Sequence, residues 1–304
     1  MLDDFPATQG PEREAKILEC VRSKIGTFSL VTITSEYNGH QAQFQVFEDA
    51  LKIDGVRVNV TARTQQQIAD LLGCILPTAK LYDLMWLECP QKISPHPRPI
   101  DSSTKAMIAH SKQIDEDLDK SNYQGLKSTV GKTWIIDNSL ATKPSKACNY
   151  GWHFSGTTFK GIKGHLAESK LKDPNTNEYI RVIQPASLFH DPSHTDYSQV
   201  CVLVSRKCLV DGQEMDILDV LKSPELANLA NHNGVLKVLR QPGVPQLEPI
   251  IEVVEPVQEL EPEPEIIPEI APETVPEPIG EVPVINQSFL ELIMGLFRTL
   301  SGRA

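Results

Sequence analysis

Apolar and polar residues alternate over 28–34 and again over 41–47, where positions 42, 44 and 46 share a face, and Asn38-Gly39 separates the two runs. Alternation marks a strand with one buried face, and Asn-Gly supplies the left-handed turn of a two-residue hairpin. A second turn at Asp54-Gly55 divides 51–53 from 56–60, which extends the prediction to an antiparallel meander. Helical spacing governs the flanks. Ile17, Val21 and Ile25 predict a helix over 11–25 that stops at Gly26. Thr64 caps a second helix that runs to Pro77, 80–88 continues helically to Pro90, and 104–120 reads as a helix with one polar face.

Further along, the four prolines in 90–101 demand an extended or turning path. A strand is predicted at 130–136 with Trp134 inward, a looped region over 154–199, and a buried strand at 200–204. Asp211-Gly212 then turns the chain into two short helices, 215–221 and 223–231. Hairpins and segregated helices with little βαβ alternation give the α+β class: a mainly antiparallel sheet with flanking helices.

Composition redraws the boundaries. The formal net charge is −11, and the eleven glutamates of 248–284, a stretch without Lys, Arg or Asp, account for all of it. The folded part is near neutrality, so neither a nucleic-acid footprint nor docking on anionic lipid is expected. The chain therefore divides into an α+β domain (1–242), an acidic Pro-rich linker (243–284) and a C-terminal amphipathic docking helix (285–304). Proline density and like charge favour an extended linker, reaching on the order of 110 Å at about 3.1 Å per residue. In the last segment Ser288 and Glu291 form a capping box, and Phe289, Leu292, Ile293, Leu296 and Leu300 share a face that calls for a protein partner. The six cysteines show no paired or zinc-finger spacing, the N-terminus has no signal-peptide core, and no apolar run is long enough to span a membrane. The expectation is synthesis in the cytoplasm, followed by release to the envelope or carriage on a particle.

Candidate chemistry concentrates in 149–212. His153 follows Tyr150-Gly151-Trp152 and has the residue type of a general base or metal ligand; its bland alternative is a histidine bonded to a backbone carbonyl. His190 and His194 stand four apart with Asp191 and Asp196, but Pro192 between them opposes the helix that a two-histidine metal site needs. A zinc site from His153, His194 and Asp196 is therefore unforced, and no metal or other cofactor is expected. Asp196 is the expected orienter of His153, across a cleft floored by 200–204. Tyr197 and Ser198 complete the catalytic set, although Ser198 lacks nucleophile-elbow glycines and Cys148 is only a weak alternative nucleophile. Tyr150, Trp152, Lys132, Gln184 and His194 are the expected substrate contacts. Gly131-Lys132-Thr133 resembles the end of a phosphate loop, but its glycine spacing is one residue too long and it precedes a strand, which excludes a nucleotide site.

With these motifs in view, the chain resembles a family of uncharacterised bacterial and phage-type proteins. The likeness is carried by Tyr150–His153, Ile183–Pro185, Asp196–Ser198, Val204-Ser205-Arg206 and Val210-Asp211-Gly212, and upstream by 58–61, 68–70 and 76–78 with Lys80 and Asp83. It spans about residues 25–232 and implies kinship of fold more than a reaction. The family pattern continues Tyr-Ser with histidine, where this chain has Gln199. The expected function is a peptidoglycan-directed hydrolase of endolysin type, acting on a cell-wall polymer. The alternative is a non-catalytic ligand-binding or virion protein docked through its terminal helix.

Because the acidic segment has no periodic apolar face, truncation at Pro283 is expected to leave the thermal unfolding midpoint of the α+β domain unchanged. A truncated chain that unfolds would make the terminal helix part of the core.

Overall fold

The computed structural model describes residues 4–90, 92–121, 125–127, 130–154 and 167–250; the predicted terminal helix and most of the linker lie outside them. The chain is α+β with antiparallel sheets, as its patterning predicts. The Asn38-Gly39 hairpin joins β1 (Leu30–Tyr37) to β2 (His40–Phe47) in the expected register, with Asn38 at φ 50° and Gly39 at φ 86°. Asp54-Gly55 likewise joins β3 (Lys52–Ile53) to β4 (Val56–Arg57).

Helix α1 (Pro11–Arg22) buries Ile17, Leu18 and Val21. The next helix, α2 (Ala62–Leu71), begins earlier than its sequence suggests. Thr61 is the cap, its hydroxyl accepting from the Thr64 N–H at 3.1 Å, so Thr64 is the capped donor three residues on. The helix also ends sooner, at a short strand β5 (Cys74–Ile75), before Thr78 caps α3 (Ala79–Glu88). Next come α4 (Thr104–Ser121), β6 (Lys132–Ile135) and β7 (Cys148–Phe154).

The looped region predicted over 154–199 contains two further strands, β8 (Ala167–Lys172) and β9 (Tyr179–Ser187). The inward face of β8 is Ala167, Ser169 and Leu171, of which only Ser169 is buried, so its strict alternation with Glu168, Lys170 and Lys172 carries little apolar signal. The predicted strand at 200–204 is corrected too. Ladder pairing starts only at β10 (Val204–Val210), which turns through Asp211-Gly212 into β11 (Gln213–Asp216) where a helix was expected. Helix α5 (Ile217–Lys222) follows, and the last predicted helix shrinks to a single 3-10 turn, Ala227–Leu229.

One sheet runs β1-β2-β10-β11, with β5 beside β10, and a second runs β6-β7-β9-β8. Residues 200–203 are the seam between them. They are fully buried, and they trade single backbone bonds with several partners: Val200 N–H to Lys132 O at 2.8 Å, Leu51 N–H to Cys201 O at 2.9 Å, and Phe47 N–H to Leu203 O at 3.1 Å. Apolarity without alternation is the mark of such a segment, and it says buried without saying paired. All six cysteines are buried and none is joined in a disulfide. Among the described residues no helix is long and apolar enough to cross a membrane.

A buried guanidinium ties α4 to the meander. Arg57 grips Asp49 with two bonds of 2.7 and 2.8 Å and reaches Asp115 of α4 at 2.6 Å. Burial pushes the Asp49 carboxyl up, and Arg57 with Lys52 outweighs it. Replacing Arg57 by Met leaves Asp49 with Lys52 alone, at 2.9 Å, and Asp115 without its guanidinium. A loss of roughly 3–5 kcal/mol is expected, read as a lowered urea midpoint with an unchanged slope.

Candidate functional site

The Tyr150–His153 motif forms most of β7, and its local backbone decides what each side chain meets. Gly151 has φ 134° and no room for a side chain: a Cβ there would lie 2.8 Å from the Tyr82 ring and 2.9 Å from the Gly131 carbonyl. Trp152 follows in the left-handed region at φ 56°, a strained conformation for an aromatic residue. On the facing strand β9 the register slips between Ser187 and Gln184, at Pro185, which has no N–H to donate. Strand alternation breaks at this point. Tyr150 and His153 consequently project to the same side, toward α3, while Trp152 projects toward Tyr197.

On the α3 side both side chains meet one carboxylate, that of Asp83. Its Oδ1 accepts from the Tyr150 hydroxyl and from His153 Nε2, each at 2.7 Å. Its Oδ2 accepts from the Ser169 hydroxyl at 2.5 Å and from His232 Nε2 at 2.7 Å. The Asp83 and His153 side chains are fully buried, and that of His232 is 10% exposed. Burial pushes the Asp83 carboxyl up, but the bonds from His153 and His232, the His153 charge and the Ser169 bond outweigh it and hold it down to about 2. Burial and the adjacent carboxylate push the Tyr150 phenol well up. Since an ionised carboxylate only accepts, His153 carries its proton on Nε2. Its Nδ1 is buried without a hydrogen-bond partner among the described residues. Tyr82 lies edge-on to the imidazole at 5.2 Å between centroids and Trp86 stacks at 6.1 Å.

The expected pairing of His153 with Asp196 is thus corrected. Asp196 belongs to a second group, on the Trp152 side of the strand. Lys132 Nζ lies 3.2 Å from Asp196 Oδ2 and 5.0 Å from the centre of the Trp152 ring. Ser198 donates its hydroxyl to Asp196 Oδ1 at 2.6 Å and its N–H at 2.9 Å. Although burial opposes it, Lys132 and Ser198 hold the Asp196 carboxyl below its usual range. Ser198 has no exposed surface, and its hydroxyl is spent on Asp196. Gln199 accepts the Asp196 N–H at 2.5 Å and so closes the same turn. The Tyr197 hydroxyl donates to the Arg98 carbonyl at 2.9 Å. Gln184 donates only to its neighbour's carbonyl, at Pro185.

His190 and His194 stack face to face, 3.7 Å apart and 2° from parallel, against the edge of Trp134. Burial, with His194 next, pushes His190 down to about 4, and burial lowers His194 as well. A zinc site drawing on His153, His194 and Asp196 is not formed: His153 turns to Asp83, and among the described residues no group of three His, Cys, Asp or Glu side chains is arranged to hold a metal ion. The Cys148 thiol is buried and pushed up to about 12 by that burial, which keeps it protonated.

Comparison with protein-family models, curated proteins and solved structures finds no match. The site is therefore read from its own geometry.

Sequence reasoning named Asp83 only within the resemblance, with no role at the site, and missed Ser169 and His232. Asp83 stands in an otherwise apolar helical stretch, Leu81 to Leu87, and a lone carboxylate on a buried helical face was the available signal. Ser169 and His232 carried none. A groove of about 330 Å³ between the β1–β2 and β10–β11 turns, lined by Glu36, Gln43, Leu209 and Asp211 among others, involves neither group.

The Asp83 carboxyl stands below its ordinary value of about 3.9, so its contribution to stability is fully present above pH ~4 and is lost as pH falls through about 2. Acid titration of the folded protein is expected to lose about 2 kcal/mol across that window from this group alone. Asp83→Asn should lack that step when unfolding is measured from pH 5 to pH 2.

Proposed function

We propose that the protein is a hydrolase in which His153 acts as general base and Asp83 as its orienter, with a cell-envelope polymer of the peptidoglycan class as substrate. The observation that carries this reading is the divided use of one imidazole: Nε2 is committed to an ionised, fully buried carboxylate and Nδ1 is left without a partner. Nδ1 then takes a proton from water as the water oxygen attacks the substrate's electrophilic centre, and the imidazolium formed is stabilised by Asp83 2.7 Å away. Water is the nucleophile here because the two candidates in the chain are otherwise engaged. Ser198 is bonded to Asp196, and Cys148 is held as a thiol. In this reading Lys132, beside Trp152, contributes a positive charge on the other side of the strand and no longer contacts the same reacting atoms as His153. The polymer class rests on the likeness to phage-type proteins and on the near-neutral folded part, which favours neither nucleic acid nor lipid. The protein would be made in the cytoplasm and act at the envelope after release or as a particle component.

A second reading, a non-catalytic ligand-binding or virion protein docked by its C-terminal segment, is favoured by one observation: the His153 side chain has no exposed surface. In that reading the Asp83 group is purely a fold staple.

Dye release from purified sacculi separates the two. The hydrolase reading expects release by the full chain and a loss of roughly 10²–10⁴-fold in His153→Gln, the usual worth of a general base, with the circular dichroism spectrum retained. Absence of release by the wild-type chain, with the protein sedimenting on the sacculi, would replace it with the binding reading.

A further inference from the structure

Asp83 accepts two donors on each oxygen, and the fourth of them comes from a part of the chain with no place in the motif. His232 lies in a loop held by several independent bonds. Thr78 and Lys80, in the cap and first turn of α3, donate to the Ala230 and Asn228 carbonyls. Asn231 donates to the Gly234 carbonyl at 2.7 Å, and Gly234, at φ 70°, donates its N–H to the Asn228 side chain at 3.1 Å. Lys170 of β8 holds Asn233 at 2.5 Å. The imidazole is thus carried to Asp83 by a loop anchored to the same helix that bears the carboxylate.

We infer that His232 is a positioning residue of the His153 site: by donating Nε2–H to Oδ2 it holds the Asp83 carboxylate in the orientation in which Oδ1 accepts the His153 Nε2–H. The consequence for the base rests on the proposed hydrolase reading; the coupling between the two imidazoles through Asp83 does not. The proton balance is explicit. Should Asp83 gain a proton, its O–H becomes the donor to His153 Nε2, and the imidazole hydrogen must sit on Nδ1. The nitrogen that would take the proton from water is then already occupied. Without His232, Oδ2 keeps only the Ser169 hydroxyl, and burial of the charge is less well opposed. His232 is the donor that reaches solvent, so it is also the point at which the outside medium acts on the buried pair.

The test uses the full chain labelled with ¹⁵N-histidine and ¹³C-aspartate, observed by NMR without substrate. In the wild type, His153 and His232 are both expected as Nε2–H tautomers, with Asp83 titrating near 2. In His232→Ala the Asp83 titration is expected to rise by about one pH unit or more, with the His153 ¹⁵Nε2 shift moving from its wild-type value as the carboxylate loses its Oδ2 donor. His232→Gln, which restores an N–H donor, should return both signals most of the way. A folded His232→Ala protein with unchanged Asp83 titration and His153 ¹⁵Nε2 shift would overturn the inference and leave His232 a structural residue. If the alanine variant does not fold, the glutamine variant decides: Asp83 titration kept near its wild-type value supports the donor role, and a rise as large as one unit overturns it. Because no substrate is involved, failure of this coupling and failure of the sacculus assay are independent results.

Discussion

One buried carboxylate organises the second half of this molecule. Asp83 projects from α3 into a region where an uncompensated charge would cost several kcal/mol. Four donors from three other stretches meet it: Tyr150 and His153 on β7, Ser169 on β8 and His232 in the loop after the 3-10 turn. Each of these pairs is separated by 67 to 149 residues in the chain. The group therefore forms only when the second sheet is in register and docked on α3, and misregister by one residue would leave the charge unsatisfied. Stability and placement of the base depend on the same four bonds.

The second polar group of the interior follows the same rule on the opposite side of β7. Lys132 and Asp196 are both buried and paired, and Ser198, Gln199 and Asn59 complete the bonding around Asp196. These residues fix the turn that delivers the chain into the apolar seam 200–203, where the two sheets share backbone bonds. Asp196 is thus a joint between sheets, whereas Asp83 is a joint between a helix and a sheet. Of the two groups only that of Asp83 contains imidazoles, and there His153 Nδ1 is left without a hydrogen-bond partner among the described residues, as are the buried Nε2 atoms of His110 and His194 elsewhere.

The division between the two groups turns on two residues of the motif itself. Gly151 allows the strand to approach Tyr82 and Gly131 closely, and Trp152 then adopts a left-handed backbone. A regular strand would have placed Tyr150 and Trp152 together and His153 opposite both. The break exchanges those partners, so that one short motif serves both faces of the sheet.

The sequence by itself determined the α+β class, the two Asx-Gly hairpins, the first helices and the concentration of titratable groups in 149–212, because turn chemistry and hydrophobic periodicity are local properties. It also singled out His153, Lys132 and Asp196 as residues of consequence. Which of them meet was decided by tertiary structure alone. The partner of His153 lies 70 residues earlier, on a helix whose pattern announces only burial, and regular strand alternation fails at Gly151-Trp152. Strand β8 was not read because its inward face is small and weakly apolar, and it gains its pairing at the sheet edge from β9, whose own alternation is broken. Local sequence specifies the shape of a segment; the solvation of a buried charge is satisfied only by groups that the whole fold brings to it.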